Sequence, residues 1–118
     1  NGADDNGSGT VTLMELARRF GARKEKLKRR LVFIAFTAEE SGLIGSDRYC
    51  KEPIYPLDKT VAMINMDMVG RLKDNKLIIY GTGTSPHWKA ELEKANAPHK
   101  FEIMLKPEGY GPSDQSSF

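Results

Sequence analysis

Apolar positions along this chain follow two rhythms. In TVTLMELARRF, residues 10–20, Val11, Met14, Leu16, Ala17 and Phe20 recur near helical spacing and form one apolar stripe, which predicts a helix ended by Gly21. Ser8 or Asn6 can cap its start, because a short side-chain oxygen accepts from the free N–H groups of a first turn. LVFIAFT, residues 31–37, is a continuous β-branched and aromatic run, and it predicts a central strand with both faces covered. VAMINMDMV (61–69) predicts a second buried strand ending at Asp67, KLIIYG (76–81) a third and FEIML (101–105) a fourth. Between these lie a helical turn or two over 43–50, stopped before Pro53 and Pro56, and a short helix WKAELEKAN entered through Ser85 and Pro86. Strands alternating with helices predict an α/β layered fold, with a mostly parallel sheet flanked by helices.

Composition narrows the class. At 118 residues the chain forms one domain at most, and 39% hydrophobic with 29% charged residues is the balance of a globular chain rather than a disordered or membrane one. The longest apolar stretch, LVFIAF, is too short to span a bilayer, and no secretory signal pattern occurs. Cys50 stands alone, so it has no disulfide or CxxC partner within the chain. Residues 18–30 hold eight basic side chains against Glu25 alone. Such a run can bind phosphates, but no aromatic residues suited to base stacking interleave with it. It reads as a solvated helix end and loop, with no nucleic-acid or membrane partner.

Candidate chemistry comes from position. Ligands of a layered α/β fold gather outside the carboxyl ends of its strands. Glu39 and Glu40 follow the first apolar run, Asp67 ends the second, and Asp4 and Asp5 sit in a Gly/Asn/Ser loop entering a helix. Converging carboxylates repel one another in a cleft unless cations are bound, and carboxylate oxygens suit divalent metals. Of two adjacent glutamates, one can hold an ion while its neighbour takes a proton from the ion's water. Taken singly, each acid also reads as an ordinary cap, loop or strand-end charge.

In order and spacing, GADDNGSG, FTAEESGLIGS, INMDMVG and GYGPSDQSSF resemble the zinc aminopeptidases of peptidase family M28, over essentially the whole chain. The resemblance implies a zinc-exopeptidase-like α/β fold in which residues 1–118 are part of a single catalytic domain, truncated at both ends. It implies two zinc ions in the complete domain, with Asp5 bridging them, Glu40 a ligand of one and Asp67 of the other. Glu39 is then the general base, taking a proton from metal-activated water and passing it to the leaving amine of a peptide substrate. In the closing loop, Tyr110, Gln115 and Phe118 are the implied substrate-pocket residues. A secreted or periplasmic setting follows from the same resemblance.

Departures qualify that picture. The family calls for two histidine ligands, one before GADD and one after the SD loop, but His87 and His99 fall at neither position. Gln115 stands where a histidine is common. These departures predict a fragment with an incomplete zinc site, inactive alone, whose open sheet edges favour self-association. The alternatives are a non-catalytic binding or scaffold domain on the same fold and a glutaminyl-cyclase-like enzyme. Other motifs fall away. GTGTSP has Pro86 where a dinucleotide fingerprint closes with glycine, DDNG lacks the EF-hand pattern, and GSGT lacks the phosphate-loop lysine. No HExxH and no GxSxG occurs.

Overall fold

The computed structural model describes residues 2–118. Its first element is helix α1, Gly7–Gly21. Of the two candidate caps, Asn6 serves: its Oδ1 accepts from the Gly9 N–H at 2.9 Å. Arg18 and Arg19 both pair with Glu15, at 2.7 and 2.6 Å, and hold its carboxyl down at about 2, below the ordinary 4.5. Helix α2, Ile44–Lys51, stops before Pro53, and a 3-10 turn, Leu57–Lys59, follows Pro56.

Strand β1, Lys76–Ile79, and strand β2, Glu102–Leu105, form a two-stranded parallel sheet joined through helix α3, Trp88–Asn96. Parallel neighbours need such a crossover, and the α/β expectation holds here. The register sets Leu77 beside Ile103 and Ile79 beside Leu105, all half-buried on one face. Leu92 of α3 and Phe101 line one apolar depression with Leu77, Ile79 and Ile103. Asn96 fastens the turn between α3 and β2, donating to the Phe101 carbonyl at 2.8 Å and accepting its N–H at 2.9 Å.

The runs 31–37 and 61–69 depart from expectation. Neither is a strand, and among the described residues no backbone hydrogen bond pairs either run with another strand. Leu31, Val32, Phe33, Val61 and Ile64 are exposed rather than covered on both faces. A doubly covered parallel strand needs ladder partners on its edges and a layer over each face, and residues 2–118 supply neither to these runs. No described hydrophobic residue is fully buried, and Val11 and Met14 of the α1 stripe are also exposed. Apolar contact is instead local. Phe20 meets Phe33 at 6.3 Å, and Phe36, Tyr49 and Phe118 form a three-ring cluster with centroids 5.9–6.1 Å apart. Among the described residues, no helix is long and apolar enough to cross a membrane.

Close backbone approaches do part of the work that a core would do. A Cβ on Gly9 would lie 2.2 Å from the Met66 carbonyl oxygen, and one on Gly45 2.5 Å from that of Thr37. Nothing lies within 4 Å of the corresponding point on Gly21. Gly9→Ala is therefore expected to destabilise the chain by about 1–3 kcal/mol, the usual cost of overpacking. Gly21→Ala, at an open helix end, should be neutral or stabilise by up to about 1 kcal/mol. Urea midpoints of the two variants check both. Because the folded-state value of Glu15 is depressed, its contribution to α1 is present above the ordinary 4.5 and is lost as pH falls toward 2. An acid titration should show loss of α1 helicity in that window, absent in Glu15→Gln.

Candidate functional site

The loop 2–6 leading into α1, the loop after residue 37, the segment 65–70 and the turn 113–117 carry the candidate acids, and polar contacts knit these stretches together. Asn6 is the first link. Its Nδ2 donates to the Met66 carbonyl at 2.9 Å, while Oδ1 also accepts the Met68 N–H at 3.3 Å. Asp4 is the second: its Oδ1 accepts the Gly70 N–H at 3.1 Å, and Arg71 lies 3.7 Å from its Oδ2. The two adjacent aspartates thus divide their tasks. Asp4 anchors the loop, whereas the exposed Asp5 side chain makes no hydrogen bond or ion pair among the described residues.

Segment 65–70 is tied in turn to the 3-10 turn Asp114–Ser117 and its preceding residue. Ser113 donates to Asp67 Oδ2 at 2.7 Å, and Asn65 Nδ2 donates to Ser113 Oγ at 2.7 Å and to Gln115 Oε1 at 2.9 Å. The Ser46 hydroxyl, wholly buried at the start of α2, meets the Ser117 hydroxyl at 2.8 Å. Through α2 this contact reaches the loop of Glu39 and Glu40, because Gly45 N–H donates to the Thr37 carbonyl at 3.0 Å. Ala38 and Met68, next to Glu39 and Asp67, hold left-handed backbone (φ 55° and 53°), a conformation costing an L-residue roughly 1–2 kcal/mol.

The electrostatics follow from this knitting. The Glu39 carboxyl is raised above its ordinary value, first by partial burial and then by the negative charges of Glu40, Asp67, Asp114 and Asp5. Of the acids picked from the sequence, Asp5, Glu40 and Asp67 thus each act on Glu39, whereas Asp4 does not. The structure adds Asp114, which the sequence reading passed over. Asp114 is 9% exposed, and its Oδ1, like Asp67 Oδ1, is buried with no hydrogen-bond partner. Its signal in the sequence was only a Ser-Asp pair in a Gly/Pro loop, which also reads as an ordinary turn. Ser113, set aside with Asp114 for want of a GxSxG elbow, and Asn65 were not among the candidates, since neither residue type stands out beside a carboxylate in a linear reading.

The closing-loop residues separate. Gln115 joins the Asn65 contact, Phe118 packs in the aromatic cluster and borders a depression of about 180 Å³ with Val61 and Met63, and Tyr110 is 83% exposed. His87 and His99 are exposed at the start of α3 and before β2, the latter stacked on Phe101.

The donor chemistry fits a divalent cation in kind but not in number. Carboxylate oxygens, including the unpartnered Asp67 Oδ1, suit such an ion. Among the described residues, however, no group of three or more His, Cys, Asp or Glu side chains is arranged to hold one.

Comparison with known proteins bears on this arrangement. The family described as peptidase family M28 matches residues 1–118. A probable zinc metalloprotease of Pyrenophora teres f. teres is 41% identical over 73% of the chain, which covers 17% of that protein. Aminopeptidase YwaD of Bacillus subtilis is 41% identical over 58% of the chain, covering 15% of its own length. Leucine aminopeptidase 2 of Trichophyton rubrum is 30% identical over 99% of the chain, covering 25% of its length. The chain thus spans a quarter or less of these relatives. No solved structure matches.

Asn6 is the joint most exposed to test. Asn6→Ala removes a cap and two contacts to 66–68, and should cost about 1–2 kcal/mol. Urea unfolding reads the loss, and faster hydrogen exchange at the Met68 amide locates it.

Proposed function

We propose that this chain, which belongs to peptidase family M28, supplies the acidic side of a zinc-dependent site that hydrolyses peptides from their amino end. The observation that carries the reading is the charge convergence on Glu39 from Glu40, Asp67, Asp114 and Asp5. Relatives named as a zinc metalloprotease and as aminopeptidases support zinc and the substrate class.

In this reading Asp5, Glu40 and Asp67 hold the metal, two zinc ions in the complete unit, together with two histidines that residues 1–118 do not place beside them. When bound, zinc supplies a water of lowered pKa and polarises the substrate carbonyl. Glu39 is the general base. In the metal-free chain, partial burial and then neighbouring negative charge raise its carboxyl above the ordinary glutamate value. Ser113 donates to Asp67 Oδ2, and Oδ1, which has no hydrogen-bond partner, would be available to an ion. Phe118 and its apolar depression border the substrate side chain.

The lack of a three-donor group among the described residues favours a second reading, a non-catalytic binding domain on the same fold. Zinc titration and an aminoacyl-nitroanilide assay separate the two. The 118-residue chain alone should show no turnover, and a longer form supplying two histidines should bind zinc and turn over. Zinc-independent inactivity of the longer form would leave the binding domain. In the active form, Glu39→Gln should retain zinc while kcat falls about 10²–10⁴-fold, the usual contribution of a general base. A kcat within a few-fold of the parent would remove Glu39 from that role.

A further inference from the structure

We infer that Asn65 and Gln115 are positioning residues that set the direction of a hydrogen-bond relay onto Asp67 and so present its Oδ1 as the single open acceptor of that carboxylate. The inference rests on the reading of Asp67 as a metal ligand only for what Oδ1 finally meets.

The argument is one of proton counting. A side-chain amide nitrogen carries two hydrogens, and a serine hydroxyl carries one hydrogen and two lone pairs. Asn65 Nδ2 places one hydrogen on Gln115 Oε1 at 2.9 Å and the other on Ser113 Oγ at 2.7 Å. With Ser113 Oγ already accepting, its own hydrogen goes to Asp67 Oδ2 at 2.7 Å. The chain of donors therefore runs from Asn65 through Ser113 to Asp67, and the carboxylate end can only accept. Ser113 is 7% exposed, so water competes little for these bonds.

Gln115 decides the orientation of the Asn65 amide. Its carbonyl oxygen accepts from Nδ2, and so disfavours the flipped amide that would turn Oδ1 toward Ser113. A flipped Asn65 would set a second acceptor against Asp67 for the single serine hydrogen and so weaken the hold on the carboxylate. The close approach of Gly111, where a Cβ would lie 2.8 Å from Gln115 Nε2, leaves room for the amide in this pose. An amide at position 115 thus has a task that does not involve touching substrate. Groups that hold a metal's ligands in one orientation commonly matter about 10–100-fold in affinity.

The test uses the 118-residue chain in solution. Without metal, three-bond couplings to Cγ should show one χ1 rotamer at Asp67, with the Asn65 side-chain amide protected from exchange. Asn65→Asp keeps the shape but replaces the donor with an acceptor, and it should average the Asp67 rotamer. Gln115→Met keeps the volume without the acceptor and should also average Asp67 and expose the Asn65 amide, while Gln115→Glu, still an acceptor, restores both. Averaged Asp67 couplings in the unaltered chain, or unchanged couplings in both Asn65→Asp and Gln115→Met, would overturn the relay. In the longer form that supplies two histidines, a Zn²⁺ titration followed at Asp67 Cγ should show about tenfold weaker binding with Gln115→Met than without it. A fixed Asp67 whose Cγ ignores Zn²⁺ in that longer form would instead overturn the metal reading and leave the relay standing.

Discussion

Carboxylates that repel one another act on Glu39 together because neutral groups hold the loops that carry them. Asp5, Glu39, Glu40, Asp67 and Asp114 gain nothing from proximity, and the Glu39 carboxyl is raised first by partial burial and then by the charge of the other four. The opposing force is a set of short-range bonds from side chains without charge. Asn6 fastens 2–9 to 66–68, Asn65 and Ser113 fasten 65–67 to 113–115, and Ser46 with Ser117 fastens α2 to the last turn. Each is worth about 0.5–1.5 kcal/mol net, which is modest singly, so the arrangement depends on several acting at once.

Small residues make those bonds geometrically available. Gly9 and Gly45 let one backbone lie against another where any Cβ would intrude, and the approach of Gly9 to Met66 accompanies the Asn6 bond to the Met66 carbonyl. The aromatic cluster of Phe36, Tyr49 and Phe118 adds apolar contact on the same side as the Ser46 link. With no described hydrophobic residue fully buried, polar contacts and close backbone packing carry an unusual share of the order.

That share explains which expectations met the structure. Helices over 7–21, 44–51 and 88–96 were legible because caps, prolines and the 3.6-residue rhythm are local signals, and local hydrogen bonds satisfy a helix. The strands at 76–79 and 102–105 were legible because a crossover helix between them brings each a partner. The runs 31–37 and 61–69 carry the strongest strand composition of all and yet stand unpaired, since a strand is completed by its neighbour and composition says nothing about whether that neighbour is present. In the site, Glu39, Glu40, Asp5 and Asp67 could be picked out as charged residues at predicted element ends. Asn65, Ser113 and Asp114 could not, because an amide, a hydroxyl or a turn aspartate acquires meaning only from what lies across from it.

The sequence by itself determined the family, the α/β alternation and the acids that mark the candidate site, because motifs, periodicity and charge are carried by residues close together in the chain. Only the tertiary structure decided which aspartate of the first loop is tethered and which is free. It alone showed that Asp114 acts on Glu39 with the other acids and that Asp67 accepts from Ser113, which in turn accepts from Asn65. The physical reason is range. A hydrogen bond acts over about 3 Å, and residues 46–62 positions apart in sequence come within that distance only once the chain has folded.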